Sequence, residues 1–200
     1  MKTIFKRGDF HSFGVEERYF SAVANRSSVI YEALEEPLGK IKVFLSHKHE
    51  DVEDLKDIIG FFEKQYGVIA YIDSMDKDMP IQTSGETATR IKKIIKSCDK
   101  FILLATNMAI ESTWCNWELG YGDAKKFKNN IAILPLNDQG MSDSGYKGHE
   151  YMSIYPSIAY YFGTERYKDG TVIRAGYYCR YIDDQGRHLI EPLEKWLHKK

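Results

Sequence analysis

The sequence predicts an α/β domain built on a parallel sheet with helices on both faces. Four short, almost unbroken apolar runs have the length of strands buried on both sides, and the stretches between them place apolar residues at three- and four-residue steps. Their order along the chain is β-α-β-α-β-α-β. Right-handed crossovers between parallel strands then lay each helix over the sheet.

The elements follow in order. Residues 1–40 read as an N-terminal helical extension with one helix near Val15–Leu34, closed by Pro37-Leu38-Gly39; Tyr19, Phe20, Val23, Ile30 and Leu34 give that helix an apolar side to dock on the domain of residues 41–200. The first core strand is Ile41-Lys42-Val43-Phe44-Leu45-Ser46. A helix follows with Val52, Leu55, Ile58, Ile59 and Phe62 on one face, ended by Gly67, where a left-handed residue is commonly needed. Val68–Ile72 is the second strand. Thr83 and Glu86 have capping-box spacing ahead of a helix carrying Ile91, Ile94, Ile95 and Cys98. Phe101–Ala105 is the third strand, and Ser112 or Thr113 caps the third helix by accepting a bond from an orphan backbone N–H. The fourth strand, Ile131-Ala132-Ile133-Leu134-Pro135-Leu136, runs into a Gly-, Ser- and Asp-rich loop from Asn137 to Gly148. From about residue 146 the composition shifts, nine of the 14 tyrosines falling between Tyr146 and Tyr181. Their alternation with Ile and Val suits a packed sheet elaboration: a further strand, a hairpin at Asp183-Asp184-Gln185-Gly186 and a short helix around Glu191–His198.

Composition narrows the function classes. With 28 Lys+Arg against 29 Asp+Glu there is no general attraction to nucleic acid or acidic lipid, and 43% hydrophobic residues is too much for a disordered chain. Cys98, Cys115 and Cys179 form no CxxC pair, so neither a disulfide framework nor a zinc cluster is indicated and a reducing compartment fits best. The N-terminus meets charge before any long apolar stretch, and no run approaches the roughly 20 apolar residues of a membrane span. The expectation is a soluble cytoplasmic protein with no metal, no nucleic-acid partner and no membrane partner.

In open parallel sheets, ligands bind beyond the carboxyl ends of the strands where strand order reverses. The lips of that crevice are Ser46-His47-Lys48-His49, Thr106-Asn107-Met108 and the loop from Asp73 to Pro80. The most unusual sequence is the third helix, Glu111-Ser112-Thr113-Trp114-Cys115-Asn116-Trp117-Glu118-Leu119-Gly120-Tyr121-Gly122. Trp114 and Glu118 share a helix face, with Cys115 and Gly122 flanking Glu118 and leaving room for a ligand. An aromatic plane beside a carboxylate suits a nucleoside, the base stacking and the acid engaging ribose hydroxyls or a developing positive charge. For an arbitrary helix, however, the ordinary outcome is that Trp114, Trp117 and Tyr121 are core residues and Glu118 is a solvated acid. His47 and His49 lack a third ligand to make a metal site. Cys115 has no base at suitable spacing and reads more readily as a small packing residue than as a nucleophile. Lys125-Lys126-Phe127-Lys128 reads as the solvated end of the helix.

Taken together, Val43-Phe44-Leu45-Ser46-His47 with its acidic helix, Tyr71-Ile72-Asp73, Ser97-Cys98-Asp99, the strand Phe101–Ala105 and Ser112-Thr113-Trp114-Cys115-Asn116-Trp117-Glu118-Leu119 resemble Toll/interleukin-1 receptor (TIR) domains in the right order. The resemblance runs from about Ile41 to Leu136, with the last strand and helix beyond it, and implies a flavodoxin-like sheet. Bacterial and plant members look like NAD+-consuming enzymes, and their catalytic glutamate in a Trp-Cys-x-x-Glu segment maps onto Trp114, Cys115 and Glu118; adaptor members tend to lack the acid. On this resemblance Glu118 is catalytic. Trp114, Ser46, His47, Asn107, Asp73 and Cys115 bind substrate, with Asp73 also fixing its loop. NAD+ is a substrate and not a cofactor, and the products are nicotinamide with ADP-ribose or a cyclic isomer. The resemblance further implies self-association through TIR–TIR contacts, a signalling role in bacterial antiphage defence and a separate effector sensing the product. The loop after the second strand departs from many members, with Lys77-Asp78-Met79-Pro80 in place of a Pro-Gly turn. Two other classes compete: a non-enzymatic adaptor acting by TIR–TIR assembly, and another flavodoxin-like module such as a response receiver or a nucleoside deoxyribosyltransferase. A receiver needs an acid at the end of the third strand, where this chain has Ala105-Thr106-Asn107.

Overall fold

The computed structural model describes residues 1–29, 39–73, 85–126, 128–183 and 185–199. In chain order its elements are β1 (Phe5–Lys6), α1 (Glu17–Val29), β2 (Lys42–Ser46), α2 (Val52–Tyr66), β3 (Ile69–Ile72), α3 (Gly85–Ser97), β4 (Lys100–Ala105), α4 (Asn107–Glu111), α5 (Thr113–Lys126), β5 (Ile131–Asn137), α6 (His149–Ile154), β6 (Ser157–Tyr161), β7 (Gly176–Ile182), β8 (His188–Pro192) and α7 (Leu193–His198).

The four apolar runs form the middle of one sheet because each strand buries both faces. Along β2 to β5, Val43, Leu45, Ala70, Ile72, Ile102, Leu104, Ala132 and Leu134 pack under α2, while Phe44, Tyr71, Phe101, Leu103, Ile131 and Ile133 pack under α3 and α5. The strand order is β3-β2-β4-β5-β6-β7-β8, with β3, β2, β4, β5 and β6 parallel and β7 and β8 antiparallel beyond them. The chain thus leaves central β2 to one side, returns past it, and continues outward on the other. That reversal lies between β2 and β4.

Local signals account for the helix ends. Gly67 ends α2 at φ +65°, its N–H donating to the Glu63 carbonyl at 3.1 Å. Ser112 caps α5: its carbonyl accepts from Asn116 N at 3.0 Å and its hydroxyl from Cys115 N at 3.4 Å. Thr106, read from the sequence as part of a lip of the crevice, caps the short helix α4 by accepting from Ala109 N. Thr83 lies outside the described residues.

The N-terminal segment holds more structure than its sequence announces. Besides α1, whose Phe20 and Val23 are buried as expected, β1 pairs in parallel with the end of β5 through Phe5↔Leu136 and Lys6↔Asn137. Phe10 packs on Phe61 and Tyr177. Gly60 of α2 is where this segment comes closest: a Cβ there would stand 2.0 Å from the Phe13 carbonyl oxygen. Tyr19 departs from expectation, being 44% exposed with its hydroxyl donating to Glu63, and Ile30 and Leu34 lie outside the described residues.

The tyrosine-rich region forms the expected strand, hairpin and terminal helix. Tyr160 meets Tyr177 and Tyr161 meets Tyr178 edge-on across the β6–β7 pair, the first on one sheet face and the second on the other. Among the described residues no helix is long and apolar enough to cross a membrane.

Candidate active site

Residues alternate faces along a strand, so Ser46, the last residue of β2, shares the Phe44 face and meets α5. Its hydroxyl donates to Oε2 of Glu118 at 2.5 Å. Glu118 is completely buried, and its Oε1 has no hydrogen-bond partner among the described residues. Just beyond β3, Asp73 Oδ1 is buried and likewise lacks an aligned donor, although His47 Nδ1 stands 3.2 Å away and is shared with the Leu45 carbonyl at 3.3 Å. Burial, and then the nearby charge of Asp73, push the Glu118 carboxyl well above its usual range; hydrogen bonds from Ser46 and, more loosely, from the Trp114 indole oppose that rise.

A buried carboxylate oxygen without a donor, beside a second that only His47 approaches among the described residues, is chemically informative, because native interiors rarely leave such atoms unsatisfied. A ligand bearing hydroxyl groups would satisfy both. A cationic reacting centre would do the same electrostatically, since attraction is strong where water is excluded.

The structure brings Ser46, His47, Asp73, Cys115, Trp114 and Glu118 together. Three of the sequence expectations need correction. Cys115 offers no surface to a ligand: it is 1% exposed and its thiol donates to the His47 carbonyl at 3.3 Å, so it fixes the turn after β2. Burial pushes that thiol up to about 12, leaving it protonated and a poor nucleophile. Gly122, expected to leave room beside Glu118, packs on the Phe101 ring, 3.0 Å from where a Cβ would stand.

Asn107 stands apart from this group. Its Oδ1 accepts from Lys147 N at 2.8 Å and its Nδ2 donates to the Gly145 carbonyl at 3.2 Å, fastening the loop before α6. Trp114 stacks on Trp117 at 4.7 Å, and Trp117 stacks on Tyr121 at 6.1 Å, with Lys92 over the last two rings. One face of Trp114 is therefore taken by a neighbour. His47 is buried and His49 exposed, so the two histidines do not converge.

Several supporting residues escaped the sequence reading. Arg7 reaches Asp51 at 2.5 Å, Asp138 at 2.7 Å and also Asp54, while Thr106 Oγ1 donates to the fully buried Asp51 at 2.7 Å. This chain of polar contacts ties β1 to the starts of α2 and α4. The hydroxyls of Tyr151 and Tyr155 donate to Asn116 and Asp123, bracing α5 from α6, and Tyr146 donates to the Ala105 carbonyl at 2.8 Å. The tyrosine enrichment was the available signal. It announced packing and gave no hint that these hydroxyls would hold the helix carrying Glu118.

Comparison with known proteins relates the chain to a family and to a named relative. A family model described as a TIR domain matches residues 43–157. A Bacillus cereus (strain MSX-D12) protein named "Probable 3' cyclic ADP-D-ribose synthase ThsB'" is 33% identical over 119 residues, which are 58% of this chain. The match spans 60% of that relative's length.

Proposed function

This chain belongs to the TIR-domain family, and from that membership together with the buried carboxylate of Glu118 we propose that it is an enzyme cleaving the nicotinamide–ribose bond of NAD+. The observation that carries the reading is the state of that carboxylate, with one oxygen held by Ser46 and the other unpaired in a water-poor site.

In the proposed reaction NAD+ is the substrate. The C1–N bond breaks with its electron pair leaving on nicotinamide, a neutral product that needs no strong acid, and positive charge develops on the ribose. Ionised Glu118 stabilises that charge. Its free oxygen and the Asp73 carboxylate accept hydrogen bonds from ribose hydroxyls, Ser46 holds Glu118 in place, and His47 stands beside Asp73. An oxygen nucleophile then closes on C1, and its proton passes to Glu118. Water as nucleophile gives ADP-ribose; a hydroxyl of the same molecule gives a cyclic isomer.

The name of the Bacillus cereus relative favours cyclisation, and we assign this chain to the same reaction class. Cyclisation demands that the adenosine fold back towards the reacting carbon and that water be excluded, conditions to which the burial of Glu118 contributes. As the family resemblance implies, we further propose that the protein works in the cytoplasm by self-association through TIR–TIR contacts, and that its product signals to a separate effector in antiphage defence.

The test is product identification. Concentrated protein is incubated with NAD+, and the nucleotide formed is separated and examined by mass spectrometry and NMR. A cyclic isomer of ADP-ribose supports the synthase reading, linear ADP-ribose assigns a hydrolase, and intact NAD+ overturns the proposal.

A further inference from the structure

A second concave site lies away from Glu118, between α6 and the β7–β8 hairpin. It is a cavity of about 170 Å³ whose polar lining includes His149, Ser153, Ser157, Arg180 and His188, with no acidic residue among the described residues of its wall. Its geometry follows from the fold. His149 and Ser153 are one turn apart on α6 and share a face. Arg180 of β7 pairs with Ser157 on one side and with Ile190 on the other, so His188, two residues before Ile190, lies on the same face of the sheet as Arg180. Helix and sheet therefore turn hydrogen-bond donors towards one space. His149 is anchored through Nε2 to the Asp143 carbonyl at 3.0 Å, which fixes its ring at the rim.

The charge in this cavity is unbalanced. Arg180 is partly buried and has no carboxylate partner among the described residues; its side chain meets the Tyr161 hydroxyl. Among the described residues the acids along the hairpin are committed elsewhere, Glu191 to Lys195 and Lys199 and Asp183 to Arg187. A guanidinium drawn out of solvent without a counter-ion is unfavourable until an anion joins it. Its planar fork fits two oxygens of a phosphate; Ser153 already donates to the Glu150 carbonyl at 2.6 Å, so Ser157 and His188 are the side chains left to supply further donors. The volume sets the size of the guest. Pockets for whole drug-sized ligands run to roughly 300–1,000 Å³, so this one takes a single phosphate group with any attached molecule left outside.

We infer that this cavity is a binding site for a terminal phosphate group, either free phosphate or the end of a phosphomonoester. The internal pyrophosphate of NAD+, flanked by a ribose on each side, does not suit so small a space. The site stands independently of the proposed NAD+ cleavage, and the Glu118→Gln variant should keep it.

The experiment is calorimetric titration of the whole chain at constant ionic strength with inorganic phosphate and, separately, with a nucleoside 5′-monophosphate. Saturable binding is expected, weakened about tenfold or more by Arg180→Gln, because charge-assisted bidentate bonds are the strong ones. A smaller loss is expected from His188→Ala, a change at an exposed position on the hairpin that keeps the inference testable should the arginine variant fold poorly. Tighter binding of the monophosphate identifies the end of a larger ligand, and equal affinities identify free phosphate. No saturable binding of either probe, or wild-type affinity in both variants, overturns the inference.

Discussion

The hydroxyl of Ser46 and the carboxylate of Glu118, 72 residues apart in sequence, meet in a 2.5 Å hydrogen bond in the interior of the domain. The contact joins the end of the central strand to the middle of α5, and it is the only direct hydrogen bond to Glu118 from the strand end among the described residues. Four predictions grow from this site and its supports.

Ser46→Ala removes a hydrogen bond to a charged group, worth about 1.5–3 kcal/mol. NAD+ turnover should fall about tenfold or more. Because the lost bond favours the ionised form of Glu118, the acid limb of the pH–rate profile should move to higher pH. An unchanged limb would show that Ser46 does not tune the carboxylate.

Glu118→Gln should lose activity and gain stability. Burial and Asp73 raise the folded-state pKa of Glu118 above the ordinary 4.5, so its contribution to stability is complete below 4.5 and is lost as pH rises through the folded value. The neutral amide escapes that loss. Melting curves should show the variant above the wild type at pH 7–8, by about 2–4 °C for each kcal/mol relieved, with the gap closing as pH approaches 4.5. A gap that widens towards acid would contradict the burial argument.

Cys115 should be inert in the folded protein. A thiol pushed up to about 12 and 1% exposed presents almost no thiolate at neutral pH, so iodoacetamide should leave both Cys115 and activity untouched until the chain unfolds. Mass spectrometry of tryptic peptides before and after denaturation reads this directly. Rapid alkylation under native conditions would refute it.

Arg7→Ala leaves Asp51 buried with Thr106 as its remaining side-chain partner. Removing one partner of a buried ion pair costs about 3–5 kcal/mol, and Arg7 is partly exposed, which places the loss at the lower end. A fall in Tm of roughly 6–12 °C is expected. A shift of a degree or less would mean that the N-terminal segment is not held by this clamp.

The parallel core was legible because its strands advertise themselves as short apolar runs buried on both faces, as Val43-Phe44-Leu45 and Ile102-Leu103-Leu104 do. Glu118 stood out through its spacing from Trp114. What the sequence concealed depends on pairings distant along the chain: a two-residue strand such as Phe5–Lys6 has no periodicity to detect, and its partner is Leu136–Asn137. Arg7 looked like an ordinary charged residue for the same reason, since the three aspartates it gathers lie 44 to 131 residues away. Cys115 and Asn107 were drawn to the crevice by sequence proximity to its lips. Their donors and acceptors are spent on backbone atoms of other segments, which no local pattern reveals.

The most direct measurement of the central claim is nicotinamide release from NAD+ by concentrated wild-type protein and by Glu118→Gln, followed side by side. Loss of a group that stabilises transition-state charge in a dry site should cut the rate by about 10²–10³. The account predicts steady release by the wild type and at least that reduction in the variant. Equal rates from the two proteins would contradict it.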